Sequence, residues 1–220
     1  DIYGTDVTFG FHTAVDIATD VIDRLHTTAA SHSRILVCEV MGNKAGWLTL
    51  NAGIAGGADI ILIPEIPYDI EKVCEAVINR SVSGKAFSII AVAEGAFDVN
   101  EAKLKKKERA AKRAEAGIIT ATSRIAALVQ ANTGFEARVC VPGHMLRGGA
   151  PSAYDRILAT QFGVYAAKLI ADEKYGRTVA KVGNKITSNK LEDIAGKTKF
   201  VEPKSQLVIT ARDLGVSFGD

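Results

Sequence analysis

The sequence predicts an α/β fold, a parallel sheet with flanking helices. Two observations carry this. Residues 34–40, 59–64 and 86–93 are near-continuous apolar runs, the pattern of strands buried on both faces. Each is followed by a loop marked by Gly or Pro and then by a helical pattern. Strand–loop–helix units in succession require crossover connections, which are right-handed and build a parallel sheet.

In order, Phe11, Ala14, Val15, Ala18, Val21, Ile22 and Leu25 recur at three and four, an amphipathic helix with Asp16, Asp20, Asp23 and Arg24 outside. The small polar cluster 27–33 is expected to end it. After the first strand comes the loop Met41-Gly42-Asn43-Lys44-Ala45-Gly46, then an Ala-rich helix from Trp47 to Ala55. Asp69 starts a helix with Ile70, Val73, Val77 and Ile78 inside. The third strand ends in Glu94-Gly95-Ala96.

Residues 103–115 carry Lys103, Lys105, Lys106, Lys107, Arg109, Lys112 and Arg113 against Glu108 and Glu115. Nucleic-acid binding calls for interleaved aromatics or a groove-entering helix, and this block has neither. It is expected to be a solvated helix or surface insertion. A helix is expected over 118–130, with Gly134 ending it, and a strand over 137–141. A long helix over 154–171 follows, with Ile157, Leu158, Phe162, Tyr165, Ala166 and Leu169 inward. A hairpin is expected around Gly183-Asn184 and a last helix over 205–214.

Composition limits the function classes. The chain has 220 residues, 47% hydrophobic and 24% charged, with net charge +2, so no overall field points to nucleic acid or a membrane surface. No apolar run reaches membrane-spanning length. Cys38, Cys74 and Cys140 are widely spaced among apolar residues and read as reduced, buried thiols. No CxxC occurs and the four histidines lack metal-ligand spacing, so no metal site is expected. GxGxxG and GxxxxGK[ST] are both missing. Residues 215–219 match GxSxG, but a nucleophile elbow needs a helix and later triad partners, and only Asp220 follows.

The stretch most suited to chemistry is Pro142-Gly143-His144-Met145-Leu146-Arg147-Gly148-Gly149, directly after the last apolar strand. Ligands of open α/β sheets bind at the carboxyl ends of strands. A histidine donor and an arginine fork together suit phosphate oxygens. The plainer alternative is a strand-to-helix connection with two exposed polar residues.

Taken together, Met41-Gly42-Asn43, Ile54-Ala55-Gly56-Gly57, Pro64-Glu65, Ala93-Glu94-Gly95, the His144–Arg147 loop and Tyr154-Asp155-Arg156-Ile157-Leu158-Ala159 resemble 6-phosphofructokinase over nearly the whole chain. The resemblance implies a Rossmann-like three-layer sandwich, with 1–145 mainly a fructose 6-phosphate-binding domain. Residues 146–204 would pack with a phosphoryl-donor domain, and 205–220 would return as a terminal helix. It implies phosphoryl transfer from ATP or diphosphate to the 1-hydroxyl of fructose 6-phosphate, with Mg2+ held mostly by an amino-terminal half. His144 and Arg147 would bind the sugar phosphate, Glu94 the sugar hydroxyls, and Met41 and Gly42 would line the site. Arg34 and Arg138 would reach the neighbouring subunit's site in a homo-dimer or tetramer.

Asp1 resembles the last acid of the family's catalytic motif, so the chain is expected to be the enzyme's carboxyl-terminal part, inactive alone. The implied location is cytoplasmic. The alternative is a non-catalytic sugar-phosphate-binding or regulatory module. Asn43 stands where the family often has an arginine, with Lys44 next to it. The charged insertion and Pro64-Glu65-Ile66-Pro67 resemble the branch that contains diphosphate-dependent members.

Overall fold

The computed structural model describes residues 1–118 and 120–220. In chain order the elements are α1 (Phe11–His32), β1 (Ile35–Val40), α2 (Trp47–Ala55), β2 (Ile60–Leu62), α3 (Ile70–Val82), β3 (Ser88–Ala93), α4 (Lys106–Glu115), α5 (Ala121–Thr133), β4 (Ala137–Cys140), α6 (Ala153–Ala171), β5 (Arg177–Val182), β6 (Lys185–Lys190), α7 (Leu191–Ile194) and α8 (Gln206–Asp213). They form two compact units, one of residues 17–146 and 200–220 and the other of residues 1–16 and 147–199.

The larger unit is built on a parallel sheet in the order β2-β3-β1-β4. Every residue of β3 is buried, and in β1 only Glu39 is partly exposed. That is why these runs carry no polar alternation. From β1 the chain passes over β3 to β2, whereas from β3 it passes over β1 to β4. Right-handed crossovers in opposite directions place α2 on one face and α3 and α5 on the other. α3 and α5 pack together, α5 also lies on β1 and β4, and α2 lies on β2 and β3. The α/β sandwich is therefore present as expected.

Local signals set the helix ends. Asp69 Oδ1 accepts from Glu71 N at 2.9 Å and starts α3. Thr120 Oγ1 accepts from Ser123 N at 3.1 Å and starts α5, and Gly134, at φ 76°, ends it in the left-handed conformation. The helix expected over 118–130 thus begins later; Ile119 itself lies outside the described residues. α1 runs on through the polar cluster 27–33 to His32, because Thr27 and Ser31 turn their hydroxyls to carbonyls of the preceding turn.

The tail covers a sheet edge. Ile61 N donates to Ser217 O at 2.9 Å and Ser217 N to Asp59 O at 3.1 Å, with Phe218 buried below. The GxSxG match is therefore an edge strap beside β2. All three cysteines are free; Cys38 and Cys74 are buried, whereas Cys140, on the edge strand β4, is only half-buried.

The smaller unit pairs β5 and β6 as an antiparallel hairpin turning at Gly183-Asn184. Residues 4–6 lie along it, with Asp6 N donating to Lys181 O at 2.8 Å and Asn189 Nδ2 to Gly4 O at 2.7 Å. α6 buries Asp155, Leu158 and Phe162, but Ile157 is 61% exposed, against the expected inner stripe. Asp155 takes the inward position, where it accepts from Gly10 N (2.8 Å), Thr13 N (2.7 Å) and Thr13 Oγ1 (2.5 Å). These donors belong to the open amino end of α1, which a carboxylate satisfies. Among the described residues no helix is long and apolar enough to cross a membrane.

Candidate functional site

Because β1, β2 and β3 are parallel, their following loops meet at one edge of the sheet. The first is Met41-Gly42-Asn43-Lys44. Its backbone turns at Asn43, which has φ 54°, a left-handed conformation that Asn adopts more readily than most residues. Glu94, one residue past β3, holds this turn: its Oε1 accepts from Gly42 N at 3.1 Å and Asn43 N at 2.5 Å. The loops approach so closely that a Cβ on Gly95 would lie 2.1 Å from Asn43 O, so only glycine fits there. Gly42, Asn43 and Glu94 are thus brought together, while Met41 packs against the core and neither it nor Gly42 lines the cavity described below.

Glu65 completes the edge, and sequence reasoning missed it as a site-building residue. Its carboxylate accepts from Gly46 N at 2.9 Å and 3.1 Å and from Val201 N at 2.9 Å, tying the first loop to residues 200–201. The one available signal was an acid after a strand, in Pro64-Glu65; its partners lie far along the chain.

A cavity of about 960 Å³ opens at this edge. Its lining includes Asn43, Lys44, Glu94 and Gly95 from the loops and Arg109, Ala110, Arg113 and Ala114 from α4. The charged block 103–115 is therefore a largely solvated helix, as expected, but one tied down through its two half-buried arginines, Arg109 and Arg113. Arg113 Nε and Nη2 donate to the two oxygens of Glu101 at 2.7 Å each, and Nη2 also reaches Ala96 O at 3.0 Å. Asp98 Oδ1 accepts from Asn100 N at 2.9 Å and Glu101 N at 2.7 Å, while its Oδ2 meets Arg124 at 2.6 Å. Burial pushes the Glu101 carboxyl up, but the hydrogen bonds and charge of Arg113, with Arg124 behind it, hold it below its ordinary value. Two buried acids thus pin α4 and α5 to the loop that carries Glu94.

The remaining expected residues lie elsewhere. His144 and Arg147 occupy one 3₁₀ helix, Gly143–Arg147, both exposed, with Leu146 buried at 1% between them as the anchor. Residues three apart eclipse in such a helix, so the two share a side. Neither lines the cavity. The boundary between the units falls just before Arg147.

Arg34 precedes β1 and Arg138 lies early in β4, toward the amino edge of the sheet. Both pair with Glu136, Arg34 Nε at 2.6 Å and Arg138 through Nη2. Arg34's hydrogen bond, with Arg138's charge beside it, holds the Glu136 carboxyl below its usual range. These arginines are not gathered with Glu94 within this chain. Asp1 is exposed in the smaller unit, its carbonyl accepting from Lys199 N at 2.9 Å.

The phosphofructokinase family model matches residues 1–170. The chain is 52% identical, over its full 220 residues, to an ATP-dependent 6-phosphofructokinase of Spirochaeta thermophila, covering 60% of that protein. It is 43% identical over 219 residues, again the whole chain, to a pyrophosphate–fructose 6-phosphate 1-phosphotransferase of Streptomyces coelicolor, covering 62% of it. The phosphofructokinase structure from Saccharomyces cerevisiae superposes on 88% of this chain with a TM-score of 0.73 and 33% identity, covering 24% of the yeast chain. The chain thus spans about 60% of the length of such curated relatives. With the parallel sheet, the Glu94-bound turn and these matches in hand, the chain belongs to the phosphofructokinase family.

Proposed function

We propose that this chain supplies the fructose 6-phosphate-binding part of a 6-phosphofructokinase, which transfers a phosphoryl group from ATP or diphosphate to the sugar's 1-hydroxyl. The observation that carries this reading is the junction of Glu94 with the Met41-Gly42-Asn43 turn at the cavity. Glu94 Oε1 is taken by two backbone donors, which fixes the carboxylate and leaves Oε2 to accept from sugar hydroxyls. His144 and Arg147 donate to the dianionic 6-phosphate from their shared 3₁₀ turn, and Met41 and Gly42 line the sugar.

Arg34 and Arg138 serve a neighbouring subunit's sugar phosphate in a homo-dimer or tetramer, exchanging Glu136 for phosphate. Phosphoryl transfer depends on positioning and charge neutralisation more than on covalent chemistry. The donor's site and the rest of the catalytic motif that Asp1 ends belong to the length of the relatives that this chain does not span. The described residues do not fit a magnesium site, since no group of three or more His, Cys, Asp or Glu is placed to hold an ion. No step assigned to this chain therefore runs through the metal.

Calorimetric titration of the full-length protein tests the reading. Fructose 6-phosphate is expected to bind at least tenfold more tightly than fructose, because one charge-assisted contact to the phosphate is worth roughly 1.5–3 kcal/mol. Equal affinities for the two sugars would remove the phosphate from the argument.

A further inference from the structure

The helix α4 gives the cavity a second polar wall whose role the residues discussed so far leave open. Arg109 and Arg113 are one turn apart and face the same way. Arg113 is consumed by Glu101 and the Ala96 carbonyl. Arg109 is not: its guanidinium lies 3.9 Å above the Phe97 ring, and among the described residues it has no carboxylate within ion-pair distance. A cation held over a ring face is attracted by the ring and needs no N–H donor to be spent on a carboxylate. Phe97 therefore holds a fixed, unspent fork at the cavity wall. Exposed Lys44 lines the same cavity and is likewise without a carboxylate partner among the described residues.

The cavity's carboxylates differ from these cations. Glu39 accepts from Thr122 Oγ1 at 2.6 Å, and Glu94 accepts from the Gly42 and Asn43 amides. Each keeps one oxygen to accept from a hydroxyl. A cavity that sets two hydroxyl acceptors beside two unpaired cations suits a phosphorylated polyol. The charge of α4 alone would not suffice; the Phe97 contact and the Arg113 clamp carry the argument, because they fix where the charge sits.

We infer that Arg109 is a further phosphate-contacting residue of this site, with Lys44 as the second cation of the same cavity, and that Arg113 positions the helix carrying it. This rests on the proposed function for the identity of the ligand. The phosphoryl oxygens concerned are either those of the sugar's own phosphate or those of the group in transfer, and kinetics separate the two.

In the full-length protein, Arg109→Gln is expected to act at least tenfold. A rise in KM for fructose 6-phosphate at constant kcat identifies the sugar's phosphate, and a fall in kcat at constant KM identifies the transferred group. Either result supports the inference. Arg109→Lys is expected to recover part of the loss, since an ammonium keeps the charge without the fork. If Arg109→Gln melts early, Arg109→Lys decides the question: values within twofold of wild type overturn the inference, as they would for a well-folded Arg109→Gln. Should the wild-type protein not phosphorylate fructose 6-phosphate at all, the proposed function falls first. Titration with diphosphate then decides separately: binding that Arg109→Gln abolishes supports the inference, and binding that is unchanged or missing in wild type overturns it.

Discussion

Asp155→Ala is expected to cost the full-length protein roughly 3 kcal/mol of unfolding free energy at neutral pH. Asp155 is 3% exposed and receives donors from Gly10, Thr13 and Ser152. Hydrogen bonds to a charged group contribute about 1.5–3 kcal/mol, and a lost helix cap up to about 2 kcal/mol, with overlap between the two. Alanine would leave the amides of Gly10 and Thr13 without partners at the start of α1.

The pH dependence has a definite sign. Burial pushes the Asp155 carboxyl up, but the hydrogen bonds from Thr13, Gly10 and Ser152 outweigh it and hold the folded-state value below the ordinary one. A depressed carboxylate stabilises fully above its unfolded pKa, about 3.9, and loses that contribution as pH falls through the folded value. Wild type and Asp155→Ala should therefore differ most at neutral pH in urea denaturation and converge in acid below about pH 4. A gap that persists there would mean the side chain acts through packing, not charge.

Arg147→Ala is expected to raise the dissociation constant for fructose 6-phosphate by about tenfold to a hundredfold, because 1.4 kcal/mol is one decade and a charge-assisted pair is worth roughly 1.5–3 kcal/mol. Arg147 is exposed, and the buried anchor of its turn is Leu146. Stability should stay within about 1 kcal/mol. Arg147→Lys should recover only part of the affinity, since it lacks the bidentate fork. A variant that melts early yet binds the sugar phosphate normally would make Arg147 structural and the turn an ordinary connection.

The strands were legible because a sheet covered on both faces leaves an unbroken apolar signature, as in β3. The helix start at Asp69 rests on a side chain two residues from its partner, the range over which sequence is most informative, whereas the sequence reading passes over the cap at Thr120 and starts that helix too early. What escaped was the work of acids with distant partners. Glu65 joins residues 46 and 201, and Asp155 caps a helix more than 140 positions earlier.

The block 103–115 is the solvated helix its charge indicates, and what escaped there was its anchoring. Two of its arginines find a buried glutamate and an aromatic face supplied by other segments. Ile157 was placed inward by apolar periodicity, whereas the buried polar Asp155 holds the inner position, a placement that a hydrophobic pattern cannot register. At the strand ends, Gly42 and Asn43 meet Glu94, because loops after parallel strands share an edge. Arg34 and Arg138 sit toward the opposite edge, where position within a strand decides the end of the sheet they reach.

The central claim is tested most directly by incubating the full-length protein with fructose 6-phosphate and magnesium, with ATP and diphosphate supplied separately, and following the product by 31P NMR. The account predicts a new phosphoester on carbon 1 with at least one donor, and none when fructose replaces the sugar phosphate. Transfer to another carbon, transfer to unphosphorylated fructose at the same rate, or no transfer with either donor would contradict it.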